Sequence, residues 1–174
     1  MINIQKPTKE DVVGIQEVFY KTWLETYPNE DVGIIIEDVE ERFKNRKSQK
    51  VINKRTQEIL NIPDGSLFLI AKDGDNVVGV CRAKKGNEVN ELMAIYVLPE
   101  YQRSGVGKMF WDEAIKFWGD ENDIIVHVAS YNKKAINFYK KVEFVDGGKR
   151  FIKEGHRMPI SKKCIPEMEM VIRR

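Results

Sequence analysis

Residues 102–108 read Gln-Arg-Ser-Gly-Val-Gly-Lys and hold the densest chemistry in the chain. Gly105 and Gly107 tolerate positive φ and let a ligand approach the backbone with no Cβ in the way. A helix starting there points its unsatisfied N–H groups and the positive end of its dipole at one place, a cradle for phosphate or pyrophosphate. Arg103 and Lys108 add charge-assisted contacts to such a guest. Two better-known phosphate loops do not fit. A P-loop needs Gly five positions before Gly107 and Ser or Thr after Lys108, where Gln102 and Met109 stand. A dinucleotide fingerprint needs a third Gly where Phe110 stands.

The other reactive side chains form no comparable pattern. Cys81, Cys164, His127 and His156 show neither the spacing of a metal site nor that of a nucleophile–base pair, so no metal is expected. Cys81, within Val-Gly-Val-Cys-Arg, reads as a core residue. His127 follows Ile125 and Val126 and reads as a partly buried strand histidine, with a role as base held in reserve.

The elements that must position the glycine turn follow from periodicity. Apolar residues at helical spacing predict a helix over residues 9–24, with Thr8 and Asp11 as a capping box. A second helical region over 34–60, broken into two pieces, carries acid-before-base pairs four apart, such as Asp38 and Arg42. Strand patterns then follow at 67–72 and 77–84, a hairpin turning at Asp73-Gly74-Asp75-Asn76, and at 88–98. A helix over 105–118, a strand over 123–130, a helix over 132–142 and two short strands, 144–145 and 169–172, complete the chain. The prediction is one α/β domain over residues 1–174 with a mixed sheet flanked by helices.

Composition narrows the class. Among 174 residues, 29 bases balance 27 acids, leaving a formal charge of +2, which favours neither nucleic acid nor a membrane surface as partner. No apolar run approaches the roughly 18–20 residues of a membrane span, and the N-terminus shows no basic-then-apolar leader. A cytoplasmic protein is expected. The bases of the second helical region (Arg42, Lys44, Arg46, Lys47, Lys50, Lys54 and Arg55) read as a solvated face, with a DNA-contacting helix as the alternative.

Gln-x-x-Gly-x-Gly five residues after a strand ending in Tyr-Val resembles the pyrophosphate loop of the GCN5-related N-acetyltransferase (GNAT) family. The segment Asn132-Lys-Lys-Ala-Ile-Asn-Phe-Tyr139-Lys-Lys-Val-Glu-Phe144 resembles that family's N-x-x-A-x-x-F-Y-x-x-x-G-F signature. One departure is plain: Glu143 stands where the family has Gly. Left-handed backbone there costs a non-Gly residue about 1–2 kcal/mol.

The resemblance implies a mostly antiparallel sheet with a splayed central strand, acetyl-CoA as donor and an amine as acceptor, joined by direct attack in a ternary complex. It assigns the backbone of Ile95, Tyr96 and Val97 to pantetheine, and the backbone of Arg103, Ser104, Gly105, Val106, Gly107 and Lys108 to pyrophosphate. Gln102 closes the start of the loop and Asn132 caps a helix and contacts the cofactor. An ammonium of pKa about 10.4 is free amine in only on the order of one molecule in a thousand at neutral pH, so a base is needed. Glu91 is the first candidate, on a face that strict alternation shares with Met93, Ile95 and Val97. Tyr139 is the candidate proton donor to the departing thiolate. Thr22–Tyr27, Glu91–Val97 and Phe151-Ile-x-x-Gly155 look like the PaiA-type branch, associated with spermidine and spermine acetylation and with negative control of sporulation genes. Trp23, Glu25 and Tyr27 are then acceptor-side candidates, with Glu30, Asp31 and Glu91 as further acids at the tunnel mouth. The alternatives are acetylation of a protein N-terminus or lysine, or a non-catalytic regulator.

Overall fold

The computed structural model describes residues 1–154 and 157–174; Gly155 and His156 lie outside the described residues. A four-residue strand, β1 (Ile2–Gln5), comes first, then a 3-10 turn at Lys9–Asp11 and helix α1 (Val12–Thr26). Helices α2 (Ile36–Phe43) and α3 (Gln49–Leu60) follow. Strands β2 (Ser66–Asp73), β3 (Asn76–Lys84) and β4 (Val89–Val97) lead to helix α4 (Val106–Trp118). The chain continues through β5 (Asp123–Ala129), α5 (Lys133–Lys141), β6 (Val145–Ile152) and β7 (Pro166–Ile172).

The seven strands form one sheet in the order β1-β2-β3-β4-β5-β7-β6, antiparallel except where β4 meets β5. The last strand starts at Pro166 rather than 169, and three further differences from the sequence-based expectation have a physical cause. Nothing local predicts β1: Ile-Asn-Ile-Gln is too short for periodicity to register, and only pairing with β2 makes it a strand. The predicted helix start at residue 9 is a 3-10 turn. Half of the capping box forms there: the Asp11 carboxylate accepts from both the backbone N–H and the hydroxyl of Thr8, at 2.8 and 3.0 Å, and also pairs with Lys72. β6 runs well past residue 145, because Gly148 at φ 79 and the Asp146 carboxylate accepting its N–H let the strand bend and resume pairing with β7.

The second helical region is two helices, α3 being capped by Ser48, whose hydroxyl accepts from the Val51 N–H. Of its bases Arg42, Lys44, Lys47, Lys50 and Lys54 are exposed, as a solvated face requires, and only Arg46 and Arg55 are half-buried. Arg42 stacks over Trp23, Arg46 over Tyr20 and Arg55 over Phe19, at 5.0, 3.9 and 5.1 Å from the ring centroids, while Arg46 and Lys47 share Glu17. These cations hold α2 and α3 against α1 through cation–π contacts. No described helix is long and apolar enough to cross a membrane.

Candidate active site

The centre of the site is a gap in the sheet. β4 and β5 pair in parallel from Val89↔Asp123 to Leu92↔Val126, and beyond Leu92 they have no further register. From Met93 to Val97 the backbone groups of β4 that turn away from β3 therefore meet no strand. A slot edged by unpaired peptide groups suits an extended ligand that bonds as a strand does. Ile95, Tyr96 and Val97 lie along it.

A bulge sets which side chains face which way. Ala94 pairs with Arg82 and Leu92 with Ala83, so Met93 is an extra residue in β4. This corrects the alternation expected for Glu91. Glu91 lies opposite Lys84, and Tyr96 opposite Val80, so Glu91 shares its face with Ala94 and Tyr96. Ile95 and Val97, opposite Cys81 and Gly79, face α4, where a Cβ on Gly79 would stand 2.9 Å from the Phe110 ring. Glu91 sits at the closed end of the gap, on the face covered by α1.

At the other end of the gap lies the glycine turn, of whose two glycines only Gly105 has positive φ. Arg103 adopts φ 64, and Gly105 caps α4 at φ 92 with open space where a Cβ would point. The first helical bond of α4 runs from the Met109 N–H to the Gly105 carbonyl. The N–H groups of Gly105, Val106, Gly107 and Lys108 thus have no partner among the described residues and point out of the helix start together. Ser104 folds its hydroxyl back onto the Tyr101 carbonyl at 2.6 Å. Gly107 has a different purpose from Gly105: a Cβ there would lie 3.2 Å from the Phe138 ring, so its small size lets α4 and α5 approach. Lys108 pairs with Asp112 one turn along α4.

Helix α5 carries the second motif. The Asn132 side chain caps it, accepting from the Ala135 N–H at 3.0 Å. At its far end the Phe144 N–H bonds the Tyr139 carbonyl and the Glu143 N–H bonds the Lys140 carbonyl, with Glu143 at φ 75. That is a Schellman motif, and its usual apolar contact is the Phe144 ring set edge-on to Tyr139, 5.5 Å between centroids. The left-handed residue is therefore Glu143, at the position where the family motif has Gly. Tyr139 is buried among these rings, and its hydroxyl has no hydrogen-bond partner among the described residues. Burial, reinforced by Tyr96 and Cys81, pushes the phenol well above its ordinary value, so it is protonated at neutral pH. Burial likewise pushes the Cys81 thiol up to about 12, which leaves it an inert core group.

The wall across from α5 comes from α1. The Tyr27 and Tyr96 hydroxyls are 2.9 Å apart, Tyr131 donates to the Tyr27 carbonyl at 2.9 Å, and the Trp23 ring packs 4.3 Å from that of Tyr27. Burial raises the phenols of Tyr27 and Tyr96, and Tyr131 is pushed up to about 12 by the same cause. Glu25 takes another part than the one expected for it. One of its oxygens pairs with Lys134 at 2.6 Å and the other accepts from the Gln102 amide at 2.8 Å. Gln102 also donates to the Val97 carbonyl at 3.3 Å. Glu25 thus ties α1, the glycine turn and the start of α5 together, and its carboxylate is already taken. Glu30 and Asp31 lie in the turn after α1.

Sequence reasoning missed the Tyr96 hydroxyl, Tyr131, Glu167 and Glu169. The last two were visible in principle, since Glu-Met-Glu-Met at 167–170 alternates as a strand with two acids on one face. Among the described residues no group of three or more His, Cys, Asp or Glu gathers as metal ligands do.

The acetyltransferase (GNAT) family model matches residues 17–144, and the chain belongs to that family. It is an acetyl-CoA-dependent N-acetyltransferase of GNAT type. A spermidine N(1)-acetyltransferase of Thermoplasma acidophilum is 31% identical over 156 residues, covering 84% of this chain and 92% of that protein. The probable N-acetyltransferase san of Drosophila melanogaster is 32% identical over 98 residues, 51% of this chain and 53% of its own. The crystal structure of the PaiA N-acetyltransferase from Thermoplasma acidophilum in complex with coenzyme A superimposes with a TM-score of 0.71 at 23% identity, over 100% of this chain and 99% of that one. This last likeness carries the fold: one α/β domain with an open mixed sheet.

Proposed function

We propose that the chain moves the acetyl group of acetyl-CoA to a primary amine of a polyamine such as spermidine or spermine, by direct attack with both substrates bound. The observation that carries this reading is the likeness to a spermidine acetyltransferase over nearly the whole of both chains. The site fits the donor on its own evidence. The converging N–H groups of Gly105–Lys108 suit a pyrophosphate, and the unpaired edge of β4 at Ile95–Val97 suits the amides of an extended arm. When bound, acetyl-CoA supplies the activated acyl group.

The chain's own residues do the rest. Holding the two reactants side by side is the largest contribution, worth up to about 7–11 kcal/mol in favourable systems. The amine must lose a proton, and in this reading Glu91, the acid of β4, takes it directly or through water. Tyr139 keeps its proton at neutral pH and gives it to the sulfur as the thiolate leaves. Asn132 orders the start of α5, while the Glu25–Gln102–Lys134 link holds the two banks of the gap in register. Trp23, Tyr27 and Tyr96 line the acceptor side with rings that accommodate an alkyl chain and hydroxyls that accept from an ammonium.

The test is release of free thiol from acetyl-CoA with a panel of spermidine, spermine, monoamines and peptides. Turnover with spermidine and spermine and none with peptides is the expected result. Turnover with peptide N-termini or lysines alone would replace the polyamine with a protein acceptor.

A further inference from the structure

The Glu167-Met168-Glu169-Met170 run of β7 sends its methionines into the core and both acids to the opposite face. On that face β5 places His127 opposite Glu169 and Ala129 opposite Glu167. Ala129 belongs to a small apolar cluster against which Trp23, Tyr27 and Tyr131 pack, so Glu167 borders the tyrosine-lined wall of the acceptor side. Its charge adds to the burial that raises the Tyr27 and Tyr96 phenols.

Glu167 is nearly enclosed. Its side chain is 15% exposed, and Oε2 is sealed from solvent without a directed hydrogen bond. The ammonium of Lys153 stands 3.2 Å from that oxygen, an ion pair by distance. The same ammonium lies 3.3 Å from His127 Nδ1 and 5.6 Å from the centroid of Phe151. Since lysine only donates, Nδ1 is the accepting nitrogen and the ring proton sits on Nε2, facing Glu169 at 3.3 Å. Glu169 is held in turn by Lys149 at 3.0 Å. The result is a cradle of carboxylate, imidazole lone pair and aromatic ring around one primary alkylammonium. A polyamine carries that same group at each of its two ends, so one end remains when the other reacts.

We propose that Glu167, with His127 and Phe151, forms a subsite for a second ammonium of the polyamine, and that Lys153 occupies it in the free protein as a stand-in which the acceptor displaces. The subsite rests on the polyamine reading above and adds where the non-reacting charge is held. Exchange of one primary ammonium for another keeps the buried carboxylate neutralised throughout, so the desolvation cost of Glu167 is never left uncompensated. Lys153 reaches in from just beyond β6 with a side chain 38% exposed, which leaves it a path out to water.

The two partners of an ordinary structural ion pair fail in the same direction when truncated. A stand-in and its receptor fail in opposite directions. The experiment measures KM for spermidine and for a monoamine of similar length in the wild type, Glu167→Gln, Lys153→Met and the double variant. The expected result is a KM for spermidine raised at least tenfold by Glu167→Gln and lowered severalfold by Lys153→Met, with the monoamine KM little changed. Thermal midpoints with and without spermidine give a second reading: the shift on adding spermidine grows in Lys153→Met and shrinks in Glu167→Gln. Spermidine turnover with a KM moved the same way by both substitutions, or by neither, would leave the polyamine assignment standing and overturn the subsite. No wild-type turnover with any di- or polyamine would overturn both.

Discussion

Glu143 occupies the left-handed position of the Schellman motif that ends α5, at φ 75, and its side chain is exposed with no hydrogen bond or ion pair among the described residues. Replacing it with Gly removes a left-handed penalty of about 1–2 kcal/mol. The added freedom of Gly in the unfolded chain takes back about 0.4–1 kcal/mol. The balance for Glu143→Gly is a stabilisation of about 0.8 kcal/mol from the midpoints of the two ranges. For a chain of this size that is about 1–4 °C in Tm. The Phe144–Tyr139 contact and the bonds from the Phe144 and Glu143 N–H groups are unaffected, so kcat should match the wild type. Glu143→Asn should fall between, because Asn tolerates this region, and Glu143→Ala should lie within about 0.5 kcal/mol of the wild type. Urea unfolding of the four proteins, with calorimetric Tm, measures the series. A Gly variant no more stable than Ala would refute the reasoning, since it would show that left-handed strain is not what Glu143 imposes.

Tyr139→Phe should lower kcat about a hundredfold or more, within the range for general acids, with nearly unchanged KM for acetyl-CoA in steady-state kinetics; loss of acetyl-CoA affinity instead would make the tyrosine a packing residue. Gly107→Leu should force the Phe138 ring aside at an overpacking cost of about 1–3 kcal/mol and weaken acetyl-CoA binding by calorimetry, whereas Gly105→Ala, with open space around it, acts only through its positive φ. Asp38 is fully buried, and that burial is outweighed by hydrogen bonds from Ser161, Ile160 and Ile35, which hold its carboxyl below the ordinary value. Its stabilisation is therefore present above the unfolded pKa of about 3.9 and is lost as pH falls through the lower folded value. Asp38→Asn should be less stable than wild type at pH 7 and lose less between pH 5 and pH 3, as read from urea midpoints; an equal acid loss in both proteins would exclude Asp38 as the titrating group.

Those parts of the site that depend on local backbone rules could be read from the residues alone. The glycine turn and the helix after it are legible because a cap at φ 92 favours Gly at 105. The start of α5 was legible because an Asn side chain satisfies an orphan N–H three residues on. The motif marks position 143 as one where left-handed backbone would cost a non-Gly residue, and the structure puts Glu143 there at φ 75, since the end of a helix is decided within a few residues.

What could not be read belongs to pairs far apart in the chain. The bulge at Met93 exists only because β4 pairs with β3, and it alone puts Glu91 on the face of Tyr96. The sequence offers Glu25 as an acid for the acceptor, yet Gln102 and Lys134, 77 and 109 positions away, claim its two oxygens. Lys153, Glu167 and His127 likewise share one cradle only because β5, β7 and β6 lie side by side. Sequence by itself determined the family resemblance, the glycine turn that opens α4 and the capped start of α5, because each rests on a few adjacent residues. Only tertiary structure decided which carboxylates are free and which are spent on the fold. Charge partners and strand faces are set by register and packing, which no local pattern encodes.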